Sequence, residues 1–238
     1  MAASRAALTR DDLKLKVTVQ RGRLDGTAFR VIRPARPLKN GALYKAPHWY
    51  EMYVDRTDGR RVGTLMLLAA RSPRSLIYLP MRTTPTAPGI GWDNEKPFDL
   101  VLAHRAVQFR PSRWKQLRER INAGNAPREL RTASIPARDL PADHEFDPSE
   151  RSHPRHGTLL RQAVYAETLF LTGGTTAFRE AARHIFAVTT DGPPRAATEL
   201  YLPGGCNYHV CRSFYDWQDL VEHGWNQFHV EFSPRWAR

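Results

Sequence analysis

The chain has 238 residues, of which 41% are hydrophobic and 10% aromatic, enough to build a core and to exclude a wholly disordered protein. Its formal net charge is +12, carried by thirty arginines and six lysines, a balance that draws in polyanions such as nucleic acid. The first twenty residues hold Arg5, Arg10, Asp11, Asp12, Lys14 and Lys16 with no apolar signal region, and no apolar run approaches the roughly 18 residues of a membrane helix. With two cysteines, Cys206 and Cys211, the expectation is a soluble cytoplasmic protein with no membrane partner.

In chain order, Leu13, Leu15, Val17 and Val19 alternate with polar residues and predict a half-buried strand. Strands are also predicted over 28–32, 49–54, 62–69 and 76–79, and Asp58-Gly59 between two apolar runs predicts a hairpin over 49–69. Residues 83–97 carry Pro85, Pro88, Gly89, Gly91 and Pro97 and read as a loop, after which FDLVLAHRAVQF reads as a strand. Pro111 and Ser112 suit a helix start, with Trp114, Leu117 and Ile121 as its apolar stripe and Gly124 beyond its end. Five prolines and an acidic interval make 125–156 a long loop. The last third reads as a strand over 164–174, a helix over 175–186, strands at 196–205 and 208–214, a helix at 216–224 and a final strand at 226–232.

The charge concentrates around the predicted helix at 111–124. Arg113, Lys115, Arg118 and Arg120 lie off its apolar stripe, and Arg105, Arg110, Arg128 and Arg131 bracket it, with Glu119 the sole acid between Arg105 and Arg128. An ordinary solvated helix face would intersperse acids at i,i+4 spacing. These eight residues are the candidate nucleic-acid interface, because guanidinium groups offer phosphates a planar bidentate fork. A coding bias toward arginine is the bland alternative. RNA is favoured over DNA as the partner: Trp114 and Phe109 beside the arginines suit unstacked bases, and no helix-turn-helix or zinc-finger spacing is present. Exchanging Arg113 and Arg118 for glutamate is expected to abolish binding and leave the fold intact.

Other motifs are weaker. Cys206, His209, Cys211 and His223 match no common zinc spacing, so no metal and no cofactor are assigned. Arg179 and His184 form an R-x4-H spacing, and His156-Gly157-Thr158 is half of a two-histidine phosphoesterase signature. Cleavage of RNA would then be metal-independent. It needs a base, a proton donor and a cation at the phosphorane, and the candidates are His48 and Tyr50, two apart on one predicted strand, with Arg23 supplying charge beside Arg21 or Arg33.

The strand LKLKVTVQ, the strand, glycine turn and helix of ETLFLTGGTTAFREAARHIF, the terminal strands and the Arg-rich insertion together resemble the CRISPR repeat-RNA processing endoribonucleases with tandem ferredoxin-like domains. That resemblance implies an RNA-hairpin substrate, metal-independent cleavage and other subunits of a ribonucleoprotein as partners. The glycine-rich loop of that family is represented here by Pro203-Gly204-Gly205, which departs from its pattern.

The expected fold is α+β, with ferredoxin-like antiparallel sheets and a basic helical insertion. The expected segments are a β-rich part over 1–103, the Arg-rich helix and Pro-rich loop over 104–157 and a ferredoxin-like part over 158–238. Structured-RNA binding, with endoribonuclease activity, is the leading functional expectation. The alternatives are a non-catalytic DNA-binding accessory protein of a mobile element and a protein whose arginines meet an acidic partner.

Overall fold

The structure is a computed structural model that describes residues 8–46, 49–85, 96–124, 126–140, 160–199, 201–202, 211–215 and 227–236, with backbone alone at 211–215 and 227. Its strands are β1 (Lys14–Leu24), β2 (Thr27–Pro34), β3 (Gly41–Lys45), β4 (Trp49–Val54), β5 (Ser75–Leu79), β6 (Lys96–Pro97), β7 (Asp99–His104), β8 (Glu129–Ser134), β9 (Arg161–Val164), β10 (Thr168–Gly173), β11 (Cys211–Tyr215) and β12 (Gln227–Phe232). Three α-helices accompany them: α1 (Arg56–Arg71), α2 (Trp114–Asn122) and α3 (Thr175–Ala196).

The strands form a seven-stranded sheet in the order β8-β1-β2-β5-β7-β10-β9 and a five-stranded sheet in the order β11-β12-β4-β3-β6. Both are mixed. The pairs β2·β5, β7·β10 and β4·β12 run parallel, so the expected antiparallel sheets are replaced by sheets with crossover connections. The seven-stranded sheet takes strands from all three expected segments, 1–103, 104–157 and 158–238, so these share one sheet.

Helices α1 and α3 lie between the sheets. One buried cluster joins Val17, Ile32, Ile77, Leu102 and Leu171 of the larger sheet, Val62, Leu65 and Met66 of α1, Phe178 and Ile185 of α3, and Met52, Val54, Phe228 and Val230 of the smaller sheet. The opposite face of the larger sheet is covered by α2, whose Trp114, Leu117 and Ile121 are wholly buried against Leu24, Val31, Tyr78, Val101 and Phe170. This is the apolar stripe read from the sequence. Burial of Leu117 and Ile121 contributes about 1.5–3 kcal/mol each, ample to hold a nine-residue helix that would be marginal alone.

Several local expectations change. Residues 62–69 belong to α1, not to a strand: Asp55 is an N-cap whose carboxylate accepts from the Asp58 N–H at 2.6 Å, and Asp58 sits in the first turn, not in a hairpin. The glycines there serve close helix packing. A Cβ on Gly59 would lie 2.4 Å from Thr189 Cγ2, and one on Gly63 would lie 2.8 Å from the Phe186 ring.

Helix α3 runs through Ala196, ten residues past the predicted end at 186, and Pro193 and Pro194 fall near its end. The predicted strand at 196–205 is therefore absent from its described residues. Residues 129–134, read as loop, form the edge strand β8 paired with β1. The strand predicted from FDLVLAHRAVQF stops at His104, where Nδ1 accepts from the Ala106 N–H and caps a short 3-10 turn. The predicted helix at 216–224 lies outside the described residues, as do 86–95 of the loop expected at 83–97.

Candidate nucleic-acid interface

The residues that hold α2 in place also decide which of its cations face solvent. Gln20, buried on β1, donates from Nε2 to the Ile121 carbonyl at 2.9 Å and so satisfies an orphan acceptor at the helix end. Gln20 in turn accepts from Arg33, whose Nη1 donates to Asn122 Oδ1 at 3.1 Å and whose guanidinium lies 5.8 Å from the Tyr78 ring centroid. Burial, and then the neighbouring Arg128, pull the Arg33 pKa down. Arg33 is thus a brace under the helix.

Arg118 is a second brace. Its Nη1 lies 3.5 Å from the buried Asp99 carboxylate and donates to the Ala166 carbonyl at 3.1 Å. Asp99 also accepts from Tyr78 Oη at 2.9 Å, from the Met81 N–H at 2.9 Å and from the backbone and Nε of Arg82 at 3.1 Å each. Burial, and then the Asp99 charge, push the Tyr78 hydroxyl pKa up, so it stays a donor. Trp114 completes the buried set with Nε1 donating to Thr168 Oγ1 at 3.0 Å. Arg118→Glu would place a second carboxylate beside buried Asp99, so the exchange of Arg113 and Arg118 for glutamate would break the fold, contrary to expectation.

The remaining expected interface residues divide by their partners. Arg113 forms an ion pair with Asp25 at 2.5 Å, and Arg120 donates to the Arg23 carbonyl while remaining exposed. Arg131 pairs with Glu129 at 2.5 Å, and its register opposite Val17 puts it on the sheet face away from α2. Arg105, Arg110, Lys115 and Arg128 are exposed and have no carboxylate partner among the described residues. The Arg105 guanidinium lies over Gly174, where a Cβ would stand 3.4 Å from it. Around α2, then, four cations have no carboxylate partner among the described residues and a fifth, Arg120, is held by a carbonyl.

Of the residues assigned to cleavage, Tyr50 and Arg23 lie in different sheets. His48 lies outside the described residues. Tyr50 is buried in the five-stranded sheet with its ring 6.0 Å from Phe98, and burial raises its pKa, whereas Arg23 is exposed in the seven-stranded sheet. His104, adjacent to Arg105, is held at 3.3 Å from Thr175 Oγ1, and burial followed by the Arg105 charge lowers its pKa, so it is neutral at pH 7.

The R-x4-H residues separate: Arg179 donates to the Asp139 carbonyl at 2.6 Å, and His184 lies 3.0 Å from Glu180. His156, Cys206, His209 and His223 lie outside the described residues. Among the described residues no group of three or more metal-ligating side chains converges, and no helix is long and apolar enough to cross a membrane.

Two sets went unread in the sequence. The Asp99 network joins residues from Tyr78 to Ala166 and has no local signature. Glu180, Arg183 and His184 form an ion triad on α3, with Arg183 donating to both Glu180 oxygens at 2.5 and 3.2 Å; the i,i+3 and i,i+4 spacing was a usable signal. No family model, no curated protein and no solved structure matches the chain.

Proposed function

We propose that this protein binds structured RNA through the basic surface around α2. The reading rests on one observation: Arg105, Arg110, Lys115 and Arg128 are exposed and carry no carboxylate partner among the described residues, while a rigid base of Gln20, Arg33, Arg118 and Asp99 holds the helix beneath them. Cations presented on a fixed scaffold neutralise phosphates and release counterions. The preference for RNA over duplex DNA rests on the absence of helix-turn-helix or zinc-finger spacing in the sequence, since Trp114, expected to stack on unpaired bases, is wholly buried.

A cytoplasmic, ribonucleoprotein-associated role goes with this reading; the ferredoxin-like kinship does not, because β10 and the terminal strands β11 and β12 lie in different sheets. Cleavage draws no support from the described residues, since Tyr50 is buried in the other sheet. Binding is tested by fluorescence anisotropy of a labelled stem-loop RNA against rising salt, with duplex DNA as competitor. Four phosphate contacts give a log K against log salt slope near −3, taken from about 0.7 per contact on single strands. Absence of binding at low salt, or equal competition by duplex DNA, would overturn the reading.

A further inference from the structure

We infer that the β1–β2 hairpin is a second RNA-contacting arm, carrying three arginines on the face that α2 does not cover; the inference rests on the RNA-binding reading above. The segment RGRLDGTAFR closes through Asp25-Gly26, with φ of 48° and 80°, the left-handed pair that a tight hairpin turn requires. Its ladder runs Arg21 opposite Arg30, Gly22 opposite Phe29, Arg23 opposite Ala28 and Leu24 opposite Thr27. On one flank β8 pairs with β1 only as far as Val19, and on the other β5 joins β2 only at Arg30. The hairpin therefore projects past both neighbouring strands.

The two faces of the arm differ. Gly22, Leu24 and Phe29 face α2: a Cβ on Gly22 would stand 2.4 Å from Leu117 Cδ1, and the Phe29 ring meets Phe109 edge-on at 5.1 Å. Strand alternation turns Arg21, Arg23 and Arg30 to the other face, where all three are exposed and none has a side-chain partner among the described residues. The sole acid between Arg21 and Arg30 is Asp25, and it is engaged by Arg113 of the turn before α2.

Directly opposed like charges repel across a ladder. A free hairpin would splay them apart, but this one is fastened from behind by α2 packing and by Arg120 on the Arg23 carbonyl. Arg21 and Arg23 are about 6.6–6.8 Å apart along the strand. A fixed row of guanidinium groups at that spacing, with no carboxylate partner among the described residues, matches a run of phosphodiesters.

The test uses the full chain and a labelled stem-loop RNA, comparing wild type with R21Q/R23Q/R30Q and with K115Q/R128Q. With the arm's three contacts added at about 0.7 each, the wild-type slope becomes about −5, and the expected result is that the hairpin triple variant returns to about −3 and loses at least tenfold in affinity at low salt. The arm is refuted if that variant binds as wild type while K115Q/R128Q is weakened, an outcome that leaves the RNA reading standing. If wild type fails to bind RNA, both fall. Binding of anionic vesicles or an acidic peptide that the triple variant loses, with RNA affinity unchanged, also refutes it. Should the triple variant unfold, amide exchange of wild type with and without RNA decides: protection over residues 20–31 supports the arm, and unchanged exchange there overturns it.

Discussion

Replacing Gly59 with alanine probes the contact that holds α1 against α3. The added Cβ would fall 2.4 Å from Thr189 Cγ2 and 3.0 Å from Val54 Cγ2, in surroundings where Thr189 and Val54 are wholly buried. Carbon atoms rest at about 3.5–4.0 Å, so something must move by more than about 1 Å. Overpacking of this kind costs about 1–3 kcal/mol, while alanine gains about 1 kcal/mol over glycine in helix propensity. The net expectation is a loss of up to about 2 kcal/mol, read as a lowered urea midpoint at unchanged slope. Thr189→Ser removes the clashing methyl but keeps the hydroxyl that donates to the Phe186 carbonyl at 2.8 Å. The double variant should therefore recover stability, with a coupling of at least about 0.5 kcal/mol in the cycle. Simple additivity, or a Gly59→Ala protein more stable than wild type, would sink the close-packed interface.

Three further expectations follow from buried charge. Burial alone would raise the Glu180 carboxyl, but hydrogen bonds and charge from His184 and Arg183 hold it at about 2; because its folded pKa is depressed, its stabilisation is present above pH 4.5 and lost as pH falls toward 2. The shift corresponds to about 3 kcal/mol at most, and partial exposure brings it nearer 2; Glu180→Gln should flatten the acid limb of a denaturation series, and an unchanged limb refutes the assignment. Glu51 has the opposite sign: burial raises its pKa despite hydrogen bonds with Tyr53, Trp49 and Glu231, so its contribution is full at acid pH and lost as pH rises, and Glu51→Gln should be relatively more stable near neutrality in thermal melts. Asp99→Ala would leave Arg118 and Tyr78 without their shared acceptor and should cost about 3–5 kcal/mol, so a melting temperature within 2 °C of wild type contradicts the network.

Much of the architecture was legible where one period dominated. The alternation around Val17 and the 3.6-residue stripe of Trp114, Leu117 and Ile121 both survive as β1 and α2, because β1 over 14–19 buries the Val17 and Val19 face and α2 buries one stripe. Helix α1 was misread since its stretch 62–70 is apolar nearly all round, packed in the core between the sheets and α3, and a continuous apolar run does not reveal its period. Asp58-Gly59 then looked like a turn, although the aspartate belongs to a helix start and the glycine to a helix crossing. Strand β8 lies on an edge with Leu130 exposed, so it carries no hydrophobic alternation to find. The charged surface was legible as composition but not as geometry: whether an arginine is free depends on distant residues such as Asp99 and Asp25.

That dependence sorts the arginines into two physical kinds, and lysine substitution separates them. Arg118 reaches a carboxylate, a backbone carbonyl and the Thr168 hydroxyl at 3.4 Å through one nitrogen, Nη1, from a largely buried position. A lysine side chain is one atom shorter and places its ammonium short of that set, so Arg118→Lys should lose about 1–3 kcal/mol and lower the melting temperature. Arg21, Arg23 and Arg30 meet no protein acceptor among the described residues, so R21K/R23K/R30K should melt as wild type. Its RNA salt slope should also hold, because counterion release counts charges and not their shape. A coding bias toward arginine predicts that the two kinds tolerate lysine equally. If Arg118→Lys is silent, or if the hairpin triple variant is the one that loses stability, the division between bracing and phosphate-facing arginines is wrong.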